Sequence, residues 1–500
     1  MKPHTDKRPV ALLAAVWAGL LPFYAAWLAL DRVVAPWDMA VHTGLAHEFW
    51  DNLLKLHVLG FYRLSMYYPP LFHVVAAPLT VFGGNPDVYC AANWVFLLLT
   101  MAAVWLIGVE LWGDFRALVA AVLVPACVNI AWMCIQPMTD LSLTAMVAWT
   151  VWALLRTPRL EDGRQAHVLG ILVGLGMLAK WTCPFFTLVP IAIYLVENFR
   201  ASRKPAFYRR VLIVAAWAAL IAGPWYVRAL PEFVRKLGPQ LGGAVAAAEG
   251  DPAVMSIDSW TRYAVDLFRL YLRWPLTIFA AAGVAVPVAQ KRFGFIRDRN
   301  MLIVIAAAAS GWLFMTLVAN KDPRYIMPAV PLIVVAAAGW LSILGKHARL
   351  CVAAAVLATF AMTGWNLFVF HGPARGDTCV ESVADWLAAQ RAGRKGRVKA
   401  VVVPNQWTLN AAALQYTLRL RDPDGEAKGV SRFRDGNIPA DRFVITLNPP
   451  GPNTGVSPRE QEITATIDAR PEWVVVKTFT RFDGKKIEIR RNGPPVTAPR

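Results

Sequence analysis

What most constrains this chain is the recurrence of apolar runs about as long as a bilayer's hydrocarbon core is thick, roughly 20 helical residues. They cover 10–30, 88–111, 117–135, 141–155, two shorter halves on either side of Lys180 within 167–196, 211–230, 276–290, 301–320, 327–344 and 350–370. The expected membrane domain is therefore all-α and polytopic, with eleven spans. Apolar residues make up 57% of the chain and charged residues only 17%, against about 45–50% and about 25% in globular proteins. Soluble, disordered, collagen-like and disulfide-scaffold classes are excluded. The 51 Lys and Arg against 33 Asp and Glu leave a net charge of +18. In a membrane chain the position of that charge matters more than its sum, and no nucleic-acid partner is expected. Five of the six cysteines lie in or beside apolar segments and read as packing residues; Cys379 stands alone in the polar C-terminal region, so no disulfide can form within it.

Charge placement fixes the expected topology. Lys2, Lys7 and Arg8 precede an apolar run longer than a signal peptide's core, which reads as an uncleaved first span. Arg156/Arg159/Arg164 and Arg200/Arg203/Lys204/Arg209/Arg210 mark two cytoplasmic loops, so the number of crossings between them is even and Lys180 separates two helices. With a cytoplasmic N-terminus, the same count puts Arg116, Lys291/Arg292/Arg297/Arg299 and Lys346/Arg349 in the cytoplasm. Residues 31–87, 231–274 and everything after His371 then face outward. The first outer loop exceeds the length of a plain connector, and 40–56 and 71–82 read as interfacial helices separated by Pro69 and Pro70.

After residue 370 the pattern changes. Helices at 380–390 and 410–420 and strands at 398–403, 443–447, 473–479 and 485–490 predict a small α/β domain, giving a division into 1–370, a transmembrane catalytic domain, and 371–500, a soluble extracytoplasmic domain. The chain shows no internal repeat, P-loop, HExxH or Cys/His zinc pattern.

Charged residues near a span are costly, about 2.5–3.5 kcal/mol at a helix centre, and so call for a reason. Asp38 follows the first span and has His42 one helical turn later; it suits either a helix cap or chemistry. Asp140 opens the fourth span with the same two readings. Lys180 ends the run 174–180 and either snorkels to the surface or binds an anion. Lys321, Asp322, Arg324 and Tyr325 crowd the mouth before Pro328, as loop charges or as ligands. His42, His57 and His73 read as interfacial packing.

These pieces, in the order Trp37-Asp38, Tyr68-Pro69-Pro70-Leu71, Thr139-Asp140-Leu141-Ser142, Gly174 to Lys180 and Lys321-Asp322-Pro323-Arg324-Tyr325, resemble the GT-C glycosyltransferases, in the branch holding the lipid A aminoarabinose transferase and the protein O-mannosyltransferases. The resemblance covers residues 10–345. It implies that Asp38 is the first-loop catalytic aspartate and Asp140 the second acidic position, with Lys180, Lys321, Arg324 and Tyr325 near the donor phosphate and His42, Tyr68 and His73 as acceptor or loop contacts. Two positions depart from the family pattern. Met39 stands where a glutamate commonly follows the aspartate, with Glu48 as a weak substitute, and Tyr68 stands where the aminoarabinose enzymes carry a lysine. The implied partners are a polyprenyl-phosphate-linked sugar, a lipid, polysaccharide or protein acceptor, and membrane lipids. The implied location is a bacterial inner membrane with the C-terminal domain in the periplasm.

The expected chemistry follows from the leaving group. A polyprenyl phosphate departs as an anion and needs little protonation, so one base on the acceptor, Asp38, suffices where a glycosidase needs two carboxyl groups. Cations at the developing phosphate charge stabilise the transition state. A single displacement inverts the anomeric carbon. Asp140 orients an acceptor hydroxyl, hydrogen-bonds Asp38, or binds a divalent cation as in metal-dependent relatives; no cofactor is otherwise required and no metal site is assigned, because a hard cation wants several oxygen ligands. The competing class is a lipid or glycolipid flippase, whose charges belong near the midplane instead of on one rim.

Overall fold

The computed structural model of the protein describes residues 8–57, 60, 65, 67–113, 115–156, 160, 162–201, 205–241, 243, 246–247, 250–291, 298–391, 397–403, 409–430, 438–448 and 458–493. Lys2, Lys7, Arg159, Arg203, Lys204, Arg292 and Arg297, which helped to set the expected topology, lie outside them.

Each apolar run is helical. In chain order the helices are α1 (Arg8–Leu30), α2 (Trp37–Leu54), α3 (Leu71–Ala76, continued by a 3-10 turn Ala77–Phe82), α4 (Ala91–Trp112), α5 (Phe115–Leu123), α6 (Val128–Met133), α7 (Asp140–Arg156), α8 (Gly163–Ala179), α9 (Cys183–Ala201), α10 (Pro205–Leu241), α11 (Ile257–Asp266), α12 (Arg273–Ala289), α13 (Arg299–Leu317), α14 (Ala329–Ala337) and α15 (Ala348–Trp365). Six helical stretches among the described residues are long and apolar enough to cross a membrane, and shorter apolar helices cover Leu71–Phe82, Phe115–Ala126, Gly163–Ala179 and Cys183–Phe199. The run 117–135 is not one straight helix. Pro125 lacks a backbone N–H and clashes with the preceding turn, so α5 ends at Leu123 and a 3-10 turn, Val124–Ala126, leads into α6.

The chain divides into two compact units. The first comprises Met1–Trp27, Glu48–Leu79 and Cys90–Gly372; the second comprises Leu28–His47, Thr80–Tyr89 and Pro373–Arg500. In the first unit α8 packs on α10, α4 on α7 and α5, and α9 on α13. One end of this bundle is held by ion pairs. Arg156 pairs with Glu110 at 3.1 Å, Asn300 donates to the Glu110 carbonyl at 3.4 Å, and Arg299 pairs with Glu197 at 2.9 Å. At 1.5 Å per residue, the 17 residues of α7 carry the chain about 25 Å from this arginine-rich end to Asp140.

The second unit is built on a five-stranded sheet of order β2-β1-β3-β5-β4, with α16 (Val380–Ala389), β1 (Lys399–Val403), α17 (Ala411–Arg419), β2 (Glu426–Gly429), β3 (Phe443–Asn448), α18 (Pro458–Asp468), β4 (Trp473–Thr480) and β5 (Lys486–Asn492). Strand β1 runs parallel to β2 and β3, and β5 is antiparallel to β3 and β4. A parallel central strand is covered on both faces and reads as a continuous apolar run, as β1 does in Ala400-Val401-Val402-Val403. Ala400 and Val402 join Leu387 and Leu414 in one apolar cluster; Val401 and Val403 join Ile463 and Ile467 of α18 in the other. The expected strands and helices of this domain are present, and β2 and α18 are additional.

Candidate functional site

The site in the first unit rests on a buried asparagine. Asn93, at the start of α4, donates its amide to the carbonyls of Met133 (3.0 Å), Gln136 (2.7 Å) and Met138 (3.0 Å). That holds the irregular backbone between α6 and α7 and sets where α7 begins. Asp140 falls in the first turn of α7, where the helix dipole favours a carboxylate, and is only 1% exposed.

Opposite it stands Lys180. Helix α8 approaches α10 closely because Gly170 and Gly174 present no side chain: a Cβ would come 2.8 Å from the Val214 carbonyl oxygen at Gly170 and 2.9 Å from the Ile221 Cβ at Gly174. Small residues four apart are how helices in a bilayer approach closely. Where α8 stops, the Lys180 ammonium meets Asp140 Oδ1 at 2.7 Å and lies 5.2 Å from the centroid of the Tyr325 ring, within range of a cation–π attraction.

The turn between α13 and α14 supplies the third side. Asp322 accepts from the Arg324 N–H at 2.9 Å, starting the 3-10 turn Pro323–Ile326, and its carboxylate also receives Arg324 Nε at 2.9 and 2.8 Å. The Tyr271 hydroxyl donates to the Pro323 carbonyl at 2.7 Å. Arg324 Nη1 reaches the Met138 sulfur at 3.7 Å, which brings this turn to the segment leading into Asp140. Burial works to raise the Asp322 carboxyl, but the Arg324 guanidinium outweighs it and holds the group below the usual carboxylate range. Burial, with Asp322 beside it, pushes the Tyr325 phenol up, so Tyr325 remains protonated and able to donate at neutral pH.

Asp140, Lys180, Arg324 and Tyr325 thus come together, and Lys321 takes another role. Its side chain is buried, 2% exposed. The ammonium donates to the carbonyls of Met315 (3.4 Å), Thr316 and Val318, and its backbone N–H donates to the Asp251 carboxylate at 2.8 Å. Cations favour the C-terminal end of a helix, where carbonyls lack partners. With these bonds Lys321 caps α13. Burial lowers its pKa, opposed by Asp251.

Asp38 belongs to the second unit, in the first turn of α2. His42 is buried on the same helix, 1% exposed. His73 is fully buried in the first unit, stacked on Phe49 and edge-on to Phe72. Tyr68 packs edge-on against Tyr67, with its N–H on the Ser65 hydroxyl at 2.9 Å. Asn93 was the functional support missed in the sequence, although its signal was there: a carboxamide inside an apolar run must bond to something.

With two cations and two carboxylates the cluster is balanced, and both cations point toward groups that an incoming anion would displace. No group of three His, Cys, Asp or Glu side chains that could hold a metal ion is found among the described residues, and Asp140 faces an ammonium. Along α13 a groove of about 430 Å³ is lined by Trp260, Ile305, Ala309, Trp312, Leu313 and Thr316. It is apolar and reaches the turn that Lys321 caps.

A family model described as dolichyl-phosphate-mannose-protein mannosyltransferase matches residues 68–225. No curated protein sequence matches the chain. Among solved structures, apo ArnT from Cupriavidus metallidurans is similar with a TM-score of 0.64 at 12% identity, over 96% of this chain and 98% of that one. The same protein bound to undecaprenyl phosphate gives 0.62 at 14% identity, over 97% and 98%. The mycobacterial arabinofuranosyltransferase AftD gives 0.58 at 14% identity, over 98% of this chain and 40% of that one.

Proposed function

Given that this chain has the GT-C glycosyltransferase fold, we propose that it is a multi-pass membrane enzyme that transfers a sugar from a polyprenyl-phosphate donor to an acceptor outside the cytoplasm. The observation that carries this reading is the meeting of Lys180, Arg324 and Tyr325 beside Asp140. Two cations and a phenol donor at one end of a helical bundle suit the phosphodiester of such a donor and the monoester anion that leaves it, and the apolar groove along α13 suits the attached lipid. The undecaprenyl phosphate held by the similar ArnT structure supports the same class of ligand.

The reaction is a displacement at the anomeric carbon. The acceptor oxygen forms a bond to that carbon as the carbon–oxygen bond to phosphate breaks, with inversion. The acceptor proton passes to the Asp38 carboxylate, and the polyprenyl phosphate leaves as an anion. Lys180 and Arg324 turn toward the phosphate oxygens and Tyr325 donates to one of them, countering charge that grows in a water-poor setting. Asp140, released from part of its pairing with Lys180, becomes an acceptor for a substrate hydroxyl. Lys321 keeps the turn bearing Arg324 and Tyr325 in place. The enzyme is assigned to a bacterial inner membrane, N-terminus inside, with residues 371–500 as a periplasmic domain; the acceptor is a lipid, polysaccharide or protein.

The test uses purified protein in detergent with a polyprenyl-phosphate sugar, scoring transfer to an acceptor or to water. Asp38→Asn is expected to lower turnover by about a hundredfold to ten-thousandfold, the usual worth of a general base. Full turnover in that variant removes Asp38 from the role, and activity confined to sealed vesicles makes the protein a carrier.

A further inference from the structure

The approach to Asp38 is held by the C-terminal domain. Trp37, the residue before it, has a φ of +40°, a left-handed conformation that a bulky residue adopts only when its surroundings impose it. Its N–H donates to Asn410 Oδ1 at 3.2 Å. The same oxygen accepts the Ala413 N–H at 2.8 Å as the N-cap of α17, using the two lone pairs of a carboxamide oxygen. Asn410 is 1% exposed, so both bonds are shielded from water.

Contacts on each side complete the grip. Asp31 Oδ1 accepts the Ala374 N–H at 2.8 Å, and the Arg32 N–H donates to the Ala374 carbonyl at 2.8 Å. Ala40 is buried in the apolar cluster that contains Leu409, Leu414 and Tyr416. A Cβ on Gly44 would stand 3.7 Å from the Tyr416 ring, whose hydroxyl donates to the Gly84 carbonyl at 2.6 Å. Backbone before Asp38, helix after it and the peptide bond leading into it all rest on one domain.

We propose that Asn410 is a positioning residue for Asp38: by accepting the Trp37 N–H from the cap of α17, it fixes the backbone turn that aims the carboxylate. The inference rests on Asp38 being the base of the proposed transfer. It gives the C-terminal domain a part in turnover, because displacing a catalytic group by about 1 Å costs on the order of a hundredfold.

The experiment compares wild type, Asn410→Ala, Asn410→Asp and Asp38→Asn, as full-length purified protein, for kcat and donor KM and for amide hydrogen exchange at residues 37–42. Asn410→Ala is expected to lower kcat by about tenfold to a hundredfold with donor KM within twofold, and to speed exchange at Trp37 by tenfold or more. Asn410→Asp keeps the accepting oxygen and is expected to restore kcat to within threefold of wild type and exchange to the wild-type rate. A wild-type kcat in Asn410→Ala, a rise in KM with kcat unchanged, or Asn410→Asp failing as fully as alanine overturns the proposal. Should Asn410→Ala fold poorly, Asn410→Gly, which an N-cap tolerates but which lacks the accepting oxygen, is read against the same outcomes. Wild type without any sugar transfer, or Asp38→Asn with full turnover, removes the proposed reaction or its base instead, and unaltered exchange at Trp37 in Asn410→Ala still overturns the positioning role by itself.

Discussion

Asp140 Oδ2 is buried and has no hydrogen-bond partner among the described residues, while Oδ1 holds Lys180. A carboxylate so placed depends on its one ammonium. Removing that ammonium alone leaves an uncompensated charge that costs about 3–5 kcal/mol, whereas replacing both partners by groups of similar shape is close to neutral. Lys180→Met is therefore expected to be destabilised by that amount in denaturant unfolding in detergent, and Asp140→Asn/Lys180→Met to recover most of it. Additive losses in the double variant would show that the two groups do not stabilise each other. Asp322 gives a pH-dependent counterpart. Its carboxyl is held low in the folded state, so its contribution is full above the unfolded value of about 3.9 and is lost as pH falls through the lower folded value. Asp322→Asn is expected to melt below wild type at pH 7, with the gap closing below about pH 4; a gap that widens in acid contradicts the pairing with Arg324. Lys180 and Arg324 were legible in the sequence because a charge beside an apolar run needs a purpose. The cap made by Lys321 was not, since Lys321 and Arg324 flank the same dipeptide and nothing in the order of residues says which one turns back onto α13.

At the level of elements, runs of about 20 apolar residues left the main helices little choice, and alternation or continuous burial did the same for β1 and β3. Strand β2 escaped because Glu426-Ala427-Lys428-Gly429 has neither pattern nor propensity; its place comes from pairing with β1. Helix α18 escaped because only Ile463 and Ile467 mark its apolar side. Helix contact is where sequence and geometry join most closely. Gly170 and Gly174 set the distance between α8 and α10, and through it the position of Lys180. Gly170→Ala places a methyl 2.8 Å from a backbone oxygen and is expected to cost about 1–3 kcal/mol, as overpacking does, and to lower turnover with it. Gly163→Ala, at the first residue of α8 with nothing within 4 Å of its Cβ, is the control, expected to be neutral. Equal thermal stability in the two variants would show that α8 yields without penalty and that Gly170 does not fix Lys180.

For the molecule as a whole, the sequence divided cleanly near residue 370 by composition, yet Leu28–His47 and Thr80–Tyr89 fold with the C-terminal domain. Contacts across more than 300 positions, such as Trp37 to Asn410 and Gly84 to Tyr416, leave no periodic trace in either partner, so composition could not reveal them. The bundle has a different long-range property that can be tested by bulk. Its groove follows one side of α13 from Val304 to Thr316, twelve residues or about 18 Å of helix, and ends beside the carbonyls that Lys321 caps. A polyprenyl chain lying there leaves an apolar bilayer for an apolar groove, so it is held by close packing and fit and not by removal of surface from water, and narrowing the groove should matter only to donors long enough to enter it. Ala309 is exposed on that side and accommodates a larger residue without disturbing the interior. Ala309→Trp is expected to raise KM about tenfold for a donor with a full-length polyprenyl chain, equivalent to about 1.4 kcal/mol, and to leave a one- or two-isoprene donor unchanged. The same loss with both donors would place the tryptophan's effect on the helix instead of the lipid, and no loss with either would put the chain elsewhere on the bundle.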